Sequence, residues 1–159
     1  MARKQRRGLD RTDRRILQIL QQQGRISNVD LARAINLSTT PCAERVHRLE
    51  RLGVITGYQA LIEPEKVGLP ISIFVEVKLD HTTAEAFERF HDTVVDLNDV
   101  AECYMIAGDF DYLLKLMVSD MAVYRRFMTE SLPRLPDVQQ TRSYVVVDKL
   151  KQQATLPIA

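Results

Sequence analysis

Residues 27–53 read SNVDLARAINLSTTPCAERVHRLERLG, and their spacing is that of a short helix, a tight turn and a longer helix. Ser27 and Asp30 fit a capping box, in which the serine hydroxyl accepts from the Asp30 amide and the Asp30 carboxylate reaches back to Ser27. Ile26 before the cap and Leu31 within the helix fit a hydrophobic staple, and Leu31, Ala32 and Ile35 supply one buried face. Asn36 tolerates the left-handed backbone that a reversal needs. The longer helix starts between Ser38 and Thr40, with Pro41 in its first turn, where a missing amide costs no helical hydrogen bond. Cys42, Val46 and Leu49 form its apolar stripe, so Thr39, Thr40, Glu44, Arg45, His47, Arg48 and Arg51 remain for the other face, and Gly53 ends it.

Working outward, Ile16, Leu17, Ile19 and Leu20 give a preceding helix that begins near Asp10 and closes at Gly24. Three helices joined in this way predict a helix-turn-helix, whose last helix is narrow enough to enter a DNA major groove. Arg45 and Arg48, one turn apart, suit a guanine edge and a phosphate in succession. The competing reading is an ordinary three-helix bundle with a solvated arginine face.

Charge is divided along the chain. Residues 1–53 hold 12 Lys and Arg against 5 Asp and Glu, a net of +7, whereas residues 54–159 hold 10 against 16, a net of −6. A basic front and an acidic back predict that the front alone meets a polyanion. Residues 1–8 carry Arg3, Lys4, Arg6 and Arg7 and predict a flexible basic arm, able to add phosphate or minor-groove contacts. Apolar runs fall short of a bilayer span, and no signal-peptide core follows the basic start, so the expectation is no membrane association. Two cysteines, Cys42 and Cys103, on elements of different domains predict free thiols in a reducing compartment.

Residues 54–61 contain a hairpin signal at Gly57 and predict a wing or strand, which leads into a proline- and glycine-containing linker at 62–70. Beyond it, Ile71, Ile73, Val75, Val77 and Leu79 alternate as a strand. Thr82 and Glu85 suggest a cap for a helix with Phe87, Phe90, Val94 and Leu97 on one stripe. Val100–Ala107 and Tyr112–Val118 form strands joined by the Gly108-Asp-Phe-Asp turn. A second helix carries Met121, Tyr124, Phe127, Met128 and Leu132, and a last strand spans Thr141–Asp148. Strand, helix, strand, strand, helix, strand is the ferredoxin-like order, with both helices on one face of an antiparallel sheet. The open face, with Phe74, Tyr104 and Tyr144, is expected to meet another subunit or a ligand. Residues 151–159 read as a loose tail.

The fold class is therefore α+β: a winged helix-turn-helix over 9–61, followed by a ferredoxin-like βαββαβ domain over 71–150. No phosphate-binding glycine loop, Gly-x-Ser-x-Gly nucleophile or metal-ligand spacing is present among His47, His81, His91 and the cysteines. The expectation is no enzyme, no cofactor and no metal.

Several segments in order, LDRTDRRIL from Leu9, GRISNVDLA from Gly24, STTPCAERVHRLERLGVI from Ser38 and GDFDYLLK from Gly108, closely resemble the Lrp/AsnC family of feast/famine regulators. The resemblance covers nearly the whole chain. It implies a transcription regulator of amino-acid metabolism that binds double-stranded DNA as a dimer and assembles into octamers or similar discs. A small amino acid, leucine or another, would bind between effector domains, and the protein would act in the cytoplasm, on the bacterial nucleoid. The DNA-facing set it implies is Ser27, Asn28, Thr39, Thr40, Arg45, His47, Arg48 and Arg51. The effector set is Met105, Gly108, Asp109, Asp111, Met121, Tyr144, Val145 and Val146. Residue chemistry alone also allows Asp111 to receive an ammonium group, amides near Gly108 a carboxylate, and Met105, Met121 and Val146 an aliphatic side chain; on the same residues, Gly108–Asp111 is a plain hairpin turn and the methionines are core. Thr39 stands where the family's founding member has proline, and His47 replaces an arginine, so operator sequence does not carry over. Two other readings remain open on the sequence: an enzyme on the same plan, as in siroheme decarboxylases that resemble this family, and an architectural DNA-binding protein of little sequence preference.

Overall fold

The structure is a computed structural model, and it describes residues 8–151 and 155–158. The basic side chains at positions 3–7 lie outside the described residues. The chain divides into two compact units, residues 1–61 with 151–159, and residues 62–150.

In the first unit, α1 spans Arg11–Gln22, α2 Asn28–Ala34 and α3 Thr39–Arg51. Asp10 caps α1 through a complete capping box with Asp13: each carboxylate accepts from the other residue's amide, at 2.8 and 3.1 Å. Ser27 caps α2 by accepting from the Asp30 amide at 3.1 Å, but the reciprocal half expected from the sequence does not form. The Asp30 carboxylate instead accepts the Ser27 hydroxyl proton at 2.7 Å, and its other oxygen is drawn to Arg33 at 3.1 Å. Asn36 takes a positive φ of 57°, and Leu37 N–H then donates to the Ala32 carbonyl, which turns the chain into α3. Ile16, Leu17, Ile19, Leu31, Ala32, Cys42, Val46 and Leu49 fuse into one buried cluster, so the three apolar stripes do converge.

Two expectations for this unit need correction. No strand forms between Leu52 and Glu63, so the Gly57 hairpin is absent: the segment is irregular, and Leu52, Val54, Tyr58 and Leu61 are exposed. A strand needs a partner for its backbone groups, and nothing within the described part of this unit offers a free edge. The tail, read as loose, is also docked. Gln18 Nε2 donates to the Ile158 carbonyl at 2.9 Å, Leu156 N–H donates to Gln21 Oε1 at 2.5 Å, and Ile158 packs on the three-helix core. Glutamines, which mimic a strand's donor and acceptor pair, supply what the tail's backbone needs.

The second unit holds β1 (Ile71–Leu79), α4 (Ala84–Val94), β2 (Val100–Met105), β3 (Tyr112–Val118), α5 (Met121–Arg126) and β4 (Val138–Val145). The strands order as β2-β3-β1-β4, all neighbours antiparallel, which is the ferredoxin-like topology. Ile73, Val75, Val77 and Leu79 of β1 and Tyr112, Leu114, Leu116 and Val118 of β3 are buried beneath Phe90, Val94, Phe127 and Leu132. Thr83 rather than Thr82 caps α4, accepting from the Ala86 amide at 3.2 Å, because Thr83 is the residue held extended before the first helical one. The last strand lies three residues earlier than the sequence reading, and β2 stops at Met105. After Arg126 the helix relaxes into a π turn over Phe127–Ser131, and this extra residue lets Phe127 and Leu132, five apart, both reach the core.

Candidate nucleic-acid interface and effector site

A residue on α3 advances 100° around the helix axis, about 3.6 per turn. With Cys42, Val46 and Leu49 buried, the side facing directly away carries Thr40, Glu44, His47 and Arg51, all exposed, with Thr39 exposed at the N-terminus. Arg45 and Arg48 fall on the flank, next to α1, and are each only 33% exposed. There they meet carboxylates. Arg45 Nη1 donates to Asp10 Oδ2 at 2.6 Å and to Asp13 Oδ1 at 2.9 Å, while Arg48 Nη2 donates to Asp13 Oδ2. Asp13 has no exposed surface. The hydrogen bond from the Asp13 amide, and then that from Arg45, hold the Asp10 carboxyl below its ordinary value, and the Asp10 and Asp13 carboxylates push the Arg45 guanidinium higher still.

On the opposite flank, His47 Nδ1 lies 3.0 Å from Glu50 Oε2, and the Tyr58 hydroxyl donates to Glu50 Oε1 at 3.0 Å. These two bonds hold the Glu50 carboxyl below its ordinary range; desolvation and the facing carboxylate push the Tyr58 phenol up to about 12. Tyr58 thereby fastens the irregular segment after α3 to that helix. Of the remaining sequence candidates, Ser27 spends its hydroxyl on the α2 cap, and Asn28 is exposed at the first position of α2. Arg45 and Arg48 are evident in the sequence as candidates, but Asp10 and Asp13 are not evident as their partners. The available signal is the Asp-x-x-Asp spacing at the start of α1, which by itself marks only the onset of a helix.

In the second unit, the turn between β2 and β3 is locked by backbone bonds. Ile106 N–H donates to the Asp111 carbonyl at 2.8 Å and Asp111 N–H to the Val77 carbonyl at 3.0 Å. Asp111 Oδ2 accepts from the Leu79 amide at 2.8 Å, which leaves its other oxygen for a further donor. Met105, exposed at the end of β2, lines a groove of about 550 Å³ with Phe87, His91, Val95, Cys103 and Tyr112. Asp109 lines a separate depression of about 230 Å³ beside Glu76, Lys78, Gln140 and Arg142. Met121 is exposed at the start of α5, where Asp120 caps the helix by accepting from the Ala122 and Val123 amides at 2.7 and 2.9 Å. Tyr144 stands opposite Phe74 and Val145 opposite Ile73 on β1, and Val146 N–H donates to the Ser72 carbonyl at 2.9 Å.

These candidates do not close on one pocket within a chain. Met105 is on β2 and Tyr144 on β4, the two sheet edges. Three inter-strand spacings separate them, roughly 14 Å at 4.8 Å each. An amino acid is too small to bridge that gap. Met105 is in register with the buried Tyr112 on the helix-covered face, whereas Tyr144 is in register with Phe74 on the open face, which also carries Glu76, Leu113, Lys115, Met117 and Tyr104, with Lys115 Nζ 2.6 Å from Glu102 Oε1 and the Tyr104 hydroxyl also donating to Glu102. Among the described residues no cluster of His, Cys, Asp and Glu could hold a metal ion, and no helix is long and apolar enough to cross a membrane.

A basic three-helix unit and a four-stranded α+β unit on one chain define a two-domain, DNA-binding transcription regulator. Residues 9–56 match the winged helix-turn-helix DNA-binding model and residues 72–156 the Lrp/AsnC ligand binding domain, so the chain belongs to the Lrp/AsnC family. The leucine-responsive regulatory proteins of Klebsiella pneumoniae and Escherichia coli (strain K12) are each 49% identical to it over 150 residues, covering 94% of this chain and 92% of theirs. Among solved structures, a transcriptional regulator from Neisseria meningitidis in complex with L-Met superposes with a TM-score of 0.88 at 36% identity, over 94% of this chain and 96% of that one. An AsnC family regulator from Agrobacterium tumefaciens gives 0.88 at 35% identity, over 93% and 96%.

Proposed function

We propose that the chain controls transcription of amino-acid metabolism in response to an aliphatic amino acid, leucine or a near equivalent. In this reading α3 enters the major groove of double-stranded DNA with Thr39, Thr40, His47 and Arg51 outward. Arg45 and Arg48 add the guanidinium N–H groups that Asp10 and Asp13 leave unused, and Ser27 and Asn28 lie at the start of α2 for backbone contacts. Copies pair into dimers and build octamers or similar discs, the basic arm at 1–8 holds phosphates, and the linker at 62–70 joins the DNA-binding and effector domains. The chain acts where the DNA is, in the cytoplasm, on the nucleoid.

The observation that carries the effector half is that the candidate residues Met105 and Tyr144 lie on β2 and β4, the two edges of the sheet, about 14 Å apart at three strand spacings. A site made of Met105, Gly108, Asp109, Asp111 and Met121 from one copy, and of Tyr144, Val145 and Val146 from another, becomes continuous only in an assembly. Ligand binding then favours one assembly over others, which is the differential contact that coupling requires. The leucine-responsive name of the relatives at 49% identity and the L-Met complex of the Neisseria meningitidis regulator support an aliphatic amino acid.

Asp111 provides the test. Asp111→Asn keeps an oxygen for the Leu79 amide, now 2.8 Å away, but removes the charge that would receive an ammonium group. The variant is expected to dimerise normally by analytical ultracentrifugation and to lose the leucine response of DNA binding. Asp111→Ala is expected to lose the response too, with a stability cost of about 1–3 kcal/mol for the orphaned amide. A normal leucine titration of either variant removes Asp111 from the site.

A further inference from the structure

Asp13 is the single charged residue that is fully buried among the described residues. An apolar side chain at that position of α1 would pack between the helices without the desolvation that a carboxylate brings. What the carboxylate supplies instead is a template for α3. Oδ1 takes Arg45 at 2.9 Å, and Oδ2 takes both Arg48 and the Asp10 amide, the latter at 3.1 Å. Asp10, itself fixed by the capping box, takes Arg45 again at 2.6 Å. Two arginines and two aspartates make this cluster formally neutral. Each guanidinium is anchored through a single terminal nitrogen, Nη1 of Arg45 and Nη2 of Arg48, although five N–H donors are present on each. A third of each arginine side chain remains exposed.

The two terms of DNA recognition respond to this arrangement in opposite ways. Sequence-independent affinity grows with the number of mobile cations that neutralise phosphates. Base readout depends on guanidinium planes held at fixed positions beside the groove. We propose that Asp13 is a positioning residue for DNA recognition: it fixes Arg45 and Arg48 on the flank of α3 and, together with Asp10, cancels their charge, so that the helix discriminates sequence instead of gripping any phosphate backbone. The inference rests on the reading of α3 as the DNA-facing helix.

The experiment uses the full chain and two duplexes, one selected from a random pool with the wild-type protein and one of the same composition in scrambled order. Affinity for each is followed by fluorescence anisotropy over a range of salt concentrations. Asp13→Asn keeps the shape and an acceptor but removes the charge. It is expected to bind the scrambled duplex more tightly, with a log–log salt slope steeper by about one, because Arg48 is released while Asp10 still holds Arg45. The selected-to-scrambled ratio is expected to fall about tenfold. An unchanged ratio and slope overturns the proposal, as does a parallel fall in both affinities, which is what partial unfolding alone produces. Should circular dichroism show that Asp13→Asn does not fold, Asp10→Asn replaces it, since that carboxylate is 50% exposed, holds Arg45 alone of the two arginines, and as asparagine can still accept from the Asp13 amide. A steeper slope and a ratio reduced about threefold are then expected, and wild-type values overturn the proposal. A wild-type chain that enriches no duplex overturns the DNA-facing reading of α3 and this inference with it, whereas an unchanged Asp13 variant of a selective wild type overturns the inference alone.

Discussion

Replacing Phe90 by alanine is expected to cost the C-terminal unit about 3–5 kcal/mol, the range for a large aromatic removed from a packed core. Phe90 has no exposed surface and stacks on the Tyr112 ring, centroids 4.0 Å apart and planes 14° from parallel, while Phe87 meets the same Tyr112 edge-on at 6.1 Å. Tyr112 opens β3 directly after the Asp111 turn, so this stack is where α4 grips the hairpin that carries the effector candidates. The chain lacks tryptophan, and urea unfolding followed by tyrosine fluorescence and far-ultraviolet circular dichroism provides the measurement. A loss under about 1 kcal/mol would mean that the helix layer does not hold the sheet through this contact.

The second large effect is at Arg48, where Arg48→Ala acts in two ways at once. If the arginine makes a bidentate base contact, its loss lowers affinity for the selected operator by about 1–3 kcal/mol. It also leaves the buried Asp13 carboxylate with Arg45 and the Asp10 amide alone, for which a further stability loss of roughly 1–3 kcal/mol is expected. Arg48→Lys separates the two. Lysine keeps a charged donor for Asp13 but lacks the planar fork, so the variant should melt near the wild-type temperature and recover only part of the affinity. Unchanged operator binding by a folded Arg48→Ala chain removes Arg48 from the DNA contacts.

The contrast between these two residues shows what a linear chain reveals. Phe90 was legible because its stripe, with Val94, repeats at helical spacing, and the alternation of β1 and the direct Gly108–Asp111 turn gave the strand order. The apolar stripe of α3 was legible for the same reason: period is a local property. The partner of Arg48 lies 35 residues away on another helix, and no local pattern encodes that pairing. A basic residue on the flank of a helix reads the same whether its guanidinium meets phosphate or a buried carboxylate.

Other differences have the same origin. Gly57 carries a turn signal, but a hairpin also needs strands that bury a face, and the exposed residues around it do not. Ile158 follows a polar, proline-containing run, and its docking depends on Gln18 and Gln21 presenting side-chain amides at the right height on α1. The effector candidates are ordinary members of their own elements, and only the observed sheet order places Met105 and Tyr144 on opposite edges. That separation is what supports the proposal of a site shared between copies.

In the proposed function, DNA recognition by α3 is coupled to an amino acid held by the second unit. The most direct measurement is the affinity of the full chain for a selected duplex and for random DNA, at one salt concentration, without ligand and with each of the common amino acids in turn. A clear preference for the selected duplex is expected, with a change of about fivefold or more with at least one aliphatic amino acid, the lower end of ordinary allosteric coupling. Identical binding curves with every amino acid, or equal affinity for selected and random DNA, would contradict the proposed function.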